Sequence, residues 1–288
     1  MRYLDAAALR QALPMSAAIE AMELAFSDDR EVPQRVQLGP SLFMPARVGS
    51  HSGIKVVSTV PGNPVGVVMA FGGDGSPIGL VDGATLTAIR TAAGAGLATR
   101  LLAAEGAKVL AMLGAGAMAA DQVAAVAEVR SIERVVVWSR QLANAQRLAD
   151  QVQGEAVATA DEAVSQADIV SCATPSRTPL FGAGSVSEPV HINAVGAFTP
   201  DMIEVPPELT AKAFIVVDDV DAAAVEAGDL IQADRQPDAT VGDLLAGRIR
   251  PPDGQVTLFK SVGIGSQDTA AAVAALERAA ELDLGTVL

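Results

Sequence analysis

Residues Ala107–Arg140 read AKVLAMLGAGAMAADQVAAVAEVRSIERVVVWSR, and the order of patterns in this stretch decides the fold. Lys108–Leu113 is a short apolar run, the length of one buried strand. A glycine turn, Gly114-Ala115-Gly116-Ala117-Met118-Ala119, follows without a spacer. Helical spacing then runs from Ala117 to Val129, and Arg134–Trp138 is a second β-branched run. Strand, tight turn, helix and strand in that order predict a βαβ unit. Gly114 permits the turn, and Ala119 is small enough for the helix to lie close against the sheet.

The spacing Gly114, Gly116, Ala119 is a G-x-G-x-x-A turn, weak alone and specific when a strand precedes it and a helix and strand follow. Without a Cβ at Gly116 the backbone can approach a pyrophosphate, which the N–H groups and positive dipole end of the helix then face. Gly114, Gly116, Ala117 and Met118 are therefore the expected phosphate-binding turn of a dinucleotide site. The end of the second strand selects the cofactor. An NAD site places Asp or Glu about 20 residues past the glycines, on the ribose 2′-OH. This chain has Trp138-Ser139-Arg140 instead. Ser139 can donate to a 2′-phosphate and Arg140 can pair with it through a charge-assisted fork, so NADPH is expected ahead of NADH.

Downstream, the chain reads as helix Leu142–Gln151, a strand near Ala156–Ala158, helix Asp161–Ser165, and strands Asp168–Ala173, Val190–Val195 and Phe214–Asp218. Thr257–Ser266 adds a strand and a glycine turn, and Asp268–Leu282 is a last helix returning to the N-terminal part. Strands alternating with helices predict an α/β fold, a doubly wound parallel Rossmann sheet. Ligands of such sheets gather at the carboxyl ends of the strands, which brings Thr174, Val195 and Gly196 into the expected cofactor set. Asn144 and Ser261 complete it.

Upstream, Asp5–Gln11 and Ser16–Asp28 read as helices capped by Asp5 and Ser16 on either side of Pro14. Val32–Pro64 reads as irregular and strand-rich, ending in a turn cluster at Pro61-Gly62-Asn63-Pro64. Val65–Ala70 and Pro77–Val81 read as a hairpin across Gly72–Ser76, and Ala84–Ala104 as a long Ala-rich helix carrying Arg90 and Arg100. The expected organisation is a smaller α+β domain over 1–104, completed by 266–288, with the Rossmann domain inserted at 105–265.

Half of the 288 residues are hydrophobic and 3% are aromatic, so the core must be small aliphatic side chains at close range. A formal net charge of −14 argues against nucleic acid or an anionic membrane as partner. A small anionic ligand remains open, because local Arg and Lys can dominate a cleft. The single cysteine, Cys172, sits in the apolar run Ile169–Ala173 and reads as a buried small hydrophobe in a reducing compartment. With no secretory pattern at the first residues and no apolar run of bilayer length, a cytoplasmic location is expected. His191 reads as making a structural hydrogen bond and His51 as solvated. Asp218, Asp219 and Asp221 read as a solvated acidic loop end, and no cluster has metal-ligand spacing, so no metal is expected.

Four separated motifs carry a resemblance over nearly the whole chain. They are Leu86-Thr87-Ala88-Ile89-Arg90-Thr91-Ala92-Ala93, Leu113-Gly114-Ala115-Gly116-Ala117-Met118-Ala119, His191-Ile192-Asn193-Ala194-Val195-Gly196 and Phe259-Lys260-Ser261-Val262-Gly263. Together they resemble the ornithine cyclodeaminase/μ-crystallin family. The resemblance implies a homodimer, a Rossmann domain inserted in a dimerisation and substrate domain, and small 2-amino or 2-imino acid substrates beside a bound nicotinamide. It implies that Arg35, Lys55 and Arg90 hold the substrate carboxylate, and that Thr91 and Gly196 border the nicotinamide. Arg offers a planar fork to a carboxylate, and Lys a compact charge that can also give a proton. Lys55 is the expected proton donor, or the group that keeps the imine protonated; set between apolar residues, it needs a partner if buried.

One departure directs the reading. Cyclodeaminases carry an Asp shortly after the Val-Gly pair; this chain has Phe198, in Gly196-Ala197-Phe198-Thr199-Pro200, and Leu42 where they carry a Glu before Met-Pro. A phenyl ring cannot hold an ammonium as a carboxylate does, so ornithine cyclisation is not expected. An apolar wall at Phe198 suits a pyrroline or piperideine ring. The chain is similar in this respect to the Δ1-pyrroline-2-carboxylate reductase branch, which implies NADPH-dependent reduction of cyclic 2-imino acids. An amino-acid dehydrogenase, such as one for alanine, and a non-catalytic NADPH-binding crystallin-like protein are the alternatives.

Overall fold

The computed structural model describes residues 1–60 and 65–288, in two compact units: 1–94 with 264–288, and 95–263. The turn cluster read at Pro61-Gly62-Asn63-Pro64 lies outside the described residues.

The βαβ stretch forms the centre of the second unit. Val109–Leu113, Ala119–Val129 and Arg134–Trp138 are its strand, helix and strand. The helix starts two residues later than its spacing implies. Ala117 and Met118 belong to the turn, which closes with the Ala119 N–H donating to the Gly116 carbonyl at 3.1 Å. Eight strands lie parallel in the order Glu155–Ala156, Arg134–Trp138, Val109–Leu113, Ile169–Cys172, His191–Ala194, Thr257–Lys260, Phe214–Val217, Ala239–Thr240. The sheet is thus the doubly wound parallel one the alternation predicts. Successive residues of one strand enter different cores: Leu110 and Met112 pack with Val123, Val126 and Leu148, while Ala111 and Leu113 pack with Val170, Ile192 and Leu258. Both faces are covered, which is why the strand reads as an unbroken apolar run. The chain winds outward to Glu155–Ala156 and restarts beside Val109–Leu113 at Ile169–Cys172, so the sheet's switch point lies between the ends of those two strands, at Gly114 and Thr174.

Cys172 is fully buried in the sheet, and burial pushes its thiol well above the ordinary range. A maleimide is therefore expected to leave native protein unlabelled and to label it fully in denaturant. Labelling at the native rate of an exposed thiol would contradict this placement.

In the first unit the segment read as irregular holds the two longest strands, Ser41–Val48 and His51–Ser58. With Gly66–Phe71 and Pro77–Asp82 they make an antiparallel meander, and Arg2–Leu4 adds parallel to the last. Pro45, inside a strand, hid this from the sequence. On the far edge of that strand Val36–Leu38 pairs with Ser41, Leu42 and Phe43, and Arg30–Glu31 pairs with Arg47 and Val48. Pro45 occupies the gap between them, where its missing N–H costs no ladder bond. Asp5 caps helix Ala6–Ala12 by accepting from the Ala8 N–H at 2.9 Å. Ser16 is not a cap: helix Met15–Ala25 starts directly after Pro14, placing Ser16 inside its first turn. Helix Gly265–Glu281 packs across the meander and begins three residues before the expected Asp268, which therefore lies within its first turns. Among the described residues no helix is long and apolar enough to cross a membrane.

Candidate active site

In the first unit, strand alternation puts Lys55 on the buried face of His51–Ser58, paired across the sheet with Met44 and Val68. Both flanking residues are apolar and buried, so the ammonium finds its partners in helices laid over the sheet. Lys55 Nζ donates to Thr87 Oγ1 at 2.6 Å and to Asp268 Oδ1 at 3.2 Å. Thr87 spends its own hydroxyl proton on the Gly83 carbonyl (2.7 Å), which turns a lone pair toward Lys55. Arg90, from the long helix Gly83–Leu102, donates through Nε to the same Asp268 oxygen at 3.1 Å and through Nη1 to Gln267 Oε1 at 3.3 Å. Gln267 also accepts from the Ile264 N–H at 2.9 Å, tying that pair to the start of the helix.

Burial pulls Lys55 down to about 8, opposed by Asp268 and assisted by the charges of Arg90 and Arg35. Lys55, Arg90 and the field of Arg35 thus converge, Arg35 itself being only half-buried. Thr91, one residue beyond Arg90, is buried on the same helix. Asp268 is the residue that sequence reading missed. An Asp at the start of a helix reads as a solvated charge complementing the helix dipole; its burial between two cations depends on residues 178 and 213 positions away.

In the second unit, Gly114 has φ +111°, and a Cβ there would meet the Ala173 carbonyl oxygen at 2.8 Å. Gly116 differs: its φ is ordinary and a Cβ would meet no described atom within 4 Å. Nothing in the chain's own packing requires glycine at 116, whereas a pyrophosphate laid on the turn does, so the residues fit a dinucleotide. Ala117 and Met118 form the remainder of that turn. Ser139 is half-buried and Arg140 exposed, just ahead of helix Leu142–Val152. Asn144, in that helix's first turn, donates to Gln141 and accepts from Arg147, a second guanidinium the sequence reading left out.

Thr174, Val195 and Gly196 stand at neighbouring strand ends, and Thr174 and Gly196 are held there by a carboxylate absent from the expected set. Glu204 Oε1 accepts from the Thr174 N–H at 2.6 Å and its hydroxyl at 2.9 Å; Oε2 accepts from the N–H groups of Gly196 (2.8 Å) and Ala197 (3.1 Å). Asp229 in turn accepts from the N–H groups of Glu204 and Val205 and lies 2.8 Å from Lys260 Nζ, which also donates to the Ala197 carbonyl. Burial and Asp229 raise Glu204 to about 7 against the opposing pull of Lys260 and Thr174. Gly196 is compelled by close approach: its Cβ would overlap Thr174 and come within 2.7 Å of the Ala173 carbonyl carbon. Ser261 donates to Asp218 at 2.8 Å, and Asp218 also accepts from the Val262 and Gly263 N–H groups. Asp218 is therefore not part of a solvated loop end, because the glycine turn folds over it and buries it completely. Phe198 follows on the same loop as Gly196, half-exposed. His191 has both ring nitrogens engaged, with Thr257 and Asn193, and burial holds it near 3, so it is neutral. His51 lies 3.8 Å from Glu277.

The family model for the ornithine cyclodeaminase/mu-crystallin family matches residues 7–283. The chain belongs to that family. A Δ1-pyrroline-2-carboxylate reductase of Bacillus cereus is 33% identical over 321 aligned residues, covering 99% of this chain and 98% of that one. The solved structure of the Thermococcus litoralis Δ1-pyrroline-2-carboxylate reductase, in complex with NADH and L-proline, is 30% identical and superposes with a TM-score of 0.93 over the whole of both chains. An archaeal alanine dehydrogenase dimer with bound NAD is 28% identical, with a TM-score of 0.92 over 99% of this chain and 98% of that one. The three relatives are all named as reductases or dehydrogenases, and the two solved ones carry NADH or NAD.

Proposed function

We propose that the chain is an NAD(P)H-dependent imine reductase that converts cyclic 2-imino acids, Δ1-pyrroline-2-carboxylate and Δ1-piperideine-2-carboxylate, to L-proline and L-pipecolate. The observation that carries this reading is the buried group in the first unit. Two cations, Lys55 and Arg90, share one carboxylate, Asp268, with Arg35 adding to the field. Burial makes the excess positive charge costly, and a substrate carboxylate relieves it. Arg90 and Arg35 clamp that carboxylate. Two of the three protons on Lys55 Nζ go to Thr87 and Asp268, and the third is directed to the imine nitrogen. An ammonium held near 8 is charged at neutral pH yet gives up its proton readily. A reduced nicotinamide, when bound, supplies the hydride. The turn at Gly114 and Gly116 with Asn144, Thr174, Val195, Gly196 and Ser261, all of the second unit, holds the cofactor.

NADPH is the preferred donor in this reading, on the strength of Ser139 and Arg140, although the Thermococcus and archaeal relatives carry NADH and NAD. The first unit is the substrate and dimerisation part, and the dimeric alanine dehydrogenase supports a homodimer. The decisive assay follows the loss of reduced-nicotinamide absorbance with Δ1-pyrroline-2-carboxylate, run beside pyruvate with ammonium. Turnover of the imine is expected, with NADPH ahead of NADH. Activity confined to pyruvate and ammonium would move the chain to the alanine dehydrogenase reading. Arg140→Ala is expected to lower kcat/KM for NADPH by about tenfold to a hundredfold while changing NADH less than about threefold, as the loss of one charge-assisted contact implies. An equal effect on both cofactors would remove Arg140 from the 2′-phosphate.

A further inference from the structure

We propose that Asp268 is the positioning residue of the site, holding Lys55 in its ammonium form and aiming Lys55 and Arg90 together from one buried oxygen. The inference rests on the reading of Lys55 and Arg90 given above and deepens it. Asp268 Oδ1 is 3.2 Å from Lys55 Nζ and 3.1 Å from Arg90 Nε. All three side chains are buried, so water screens none of these charges. The elements packed around Lys55 present to it two guanidiniums, Arg90 and Arg35, and one carboxylate, Asp268. Thr87 is a neutral acceptor, and the cross-strand partners Met44 and Val68 are apolar. Asp268 is thus the counter-charge to the two guanidiniums and to desolvation. Removing its charge leaves an amine that burial and both Arg residues drive toward the neutral state, which has no proton to give. The second oxygen, Oδ2, is buried and has no partner among the described residues. A carboxylate kept half-used at such depth has a role other than filling hydrogen-bond demand, and charge is what it supplies.

The chain has only four lysines, Lys55, Lys108, Lys212 and Lys260, so lysine-labelled full-length protein gives a small, assignable set of Cε and Nζ NMR signals. The Lys55 signal is expected to titrate near 8 in the wild type. In Asp268→Asn it is expected about one to three units lower, and the alkaline limb of kcat/KM for Δ1-pyrroline-2-carboxylate should move with it. Asp268→Glu keeps the charge on a longer arm. It is expected to hold the Lys55 midpoint within about half a unit while raising KM, because Arg90 is aimed elsewhere. A merely structural role would lower Tm in both variants and leave the Lys55 midpoint of the folded protein in place; that result overturns the proposal. A midpoint that falls while the pH–rate profile stays fixed sustains the role of Asp268 and withdraws Lys55 from the proton step, so the two readings fail separately. Should Asp268→Asn not fold, Asp268→Glu decides alone: a fallen midpoint or an unchanged KM overturns the proposal.

Discussion

Replacing Arg90 by alanine is expected to reduce kcat/KM for Δ1-pyrroline-2-carboxylate by about a hundredfold or more, with most of the loss in KM. A charge-assisted hydrogen bond contributes roughly 1.5–3 kcal/mol, and a guanidinium fork on a carboxylate makes two. About 2.7 kcal/mol is a factor of one hundred. The loss should fall on KM because the carboxylate is gripped alike in the ground and transition states, which makes the contact one of uniform binding. Burial sharpens the effect. Arg90 is 5% exposed, so alanine leaves a cavity that no neighbouring surface charge can fill. The variant also leaves Asp268 facing Lys55 alone, which strengthens that pair and should raise Lys55 above its wild-type value near 8, since Arg90 is one of the charges holding it down. Steady-state kinetics over pH therefore read two consequences of one substitution: a higher KM and an alkaline limb displaced upward. A change in kcat/KM of less than tenfold, in protein whose unfolding midpoint is near the wild type, would take Arg90 out of the clamp.

The parts of this molecule legible in its sequence are those whose physics is local. The βαβ stretch is legible because a strand covered on both faces must be apolar at every position, as Leu110–Leu113 are, and because the turn needs small residues at fixed spacing. The conformations of Gly114 and Gly196 follow from the same kind of constraint, a backbone approach too close for a Cβ. Lys55 stood out because a cation amid apolar strand residues calls for a partner. The identity of that partner was hidden, since Asp268 lies in another element more than two hundred residues away. Glu204 and Asp218 were hidden for a related reason. Each gathers backbone N–H groups from loops, and the sequence of a loop does not record whether its carboxylate turns inward. Pro45 misled in the opposite direction: it is compatible with a strand only because the pairing on its open edge skips Met44, Pro45 and Ala46. Local pattern identifies elements; the buried carboxylates that shape their loops are a product of tertiary contact.

Lys260→Met is expected to cost about 3–5 kcal/mol of stability, the range for removing one member of a buried ion pair. Lys260 is fully buried 2.8 Å from Asp229, and Asp229 accepts the N–H groups of Glu204 and Val205, so two carboxylates would remain in the interior without their cation. The cost should depend on pH in a determined direction. Glu204 is already raised from 4.5 to about 7, so the folded state binds its proton more tightly than the unfolded chain does. Between those values stability falls as pH rises, and above about 7 the penalty is complete. Lys260 is one of the groups pulling Glu204 down, so its loss lifts Glu204 further and extends the falling limb to higher pH. The deficit of the variant should therefore be smallest near pH 5 and grow through pH 8. Trp138, the only tryptophan, and Cys172, the only cysteine, both lie in this unit, so fluorescence and thiol labelling in denaturant read its unfolding directly. Protection factors of the Thr174, Gly196 and Ala197 N–H groups, which all donate to Glu204, should fall in parallel with stability as pH rises. A loss below about 1 kcal/mol, or one that shrinks as pH rises, would mean that Glu204 and Asp229 do not depend on Lys260 for their burial.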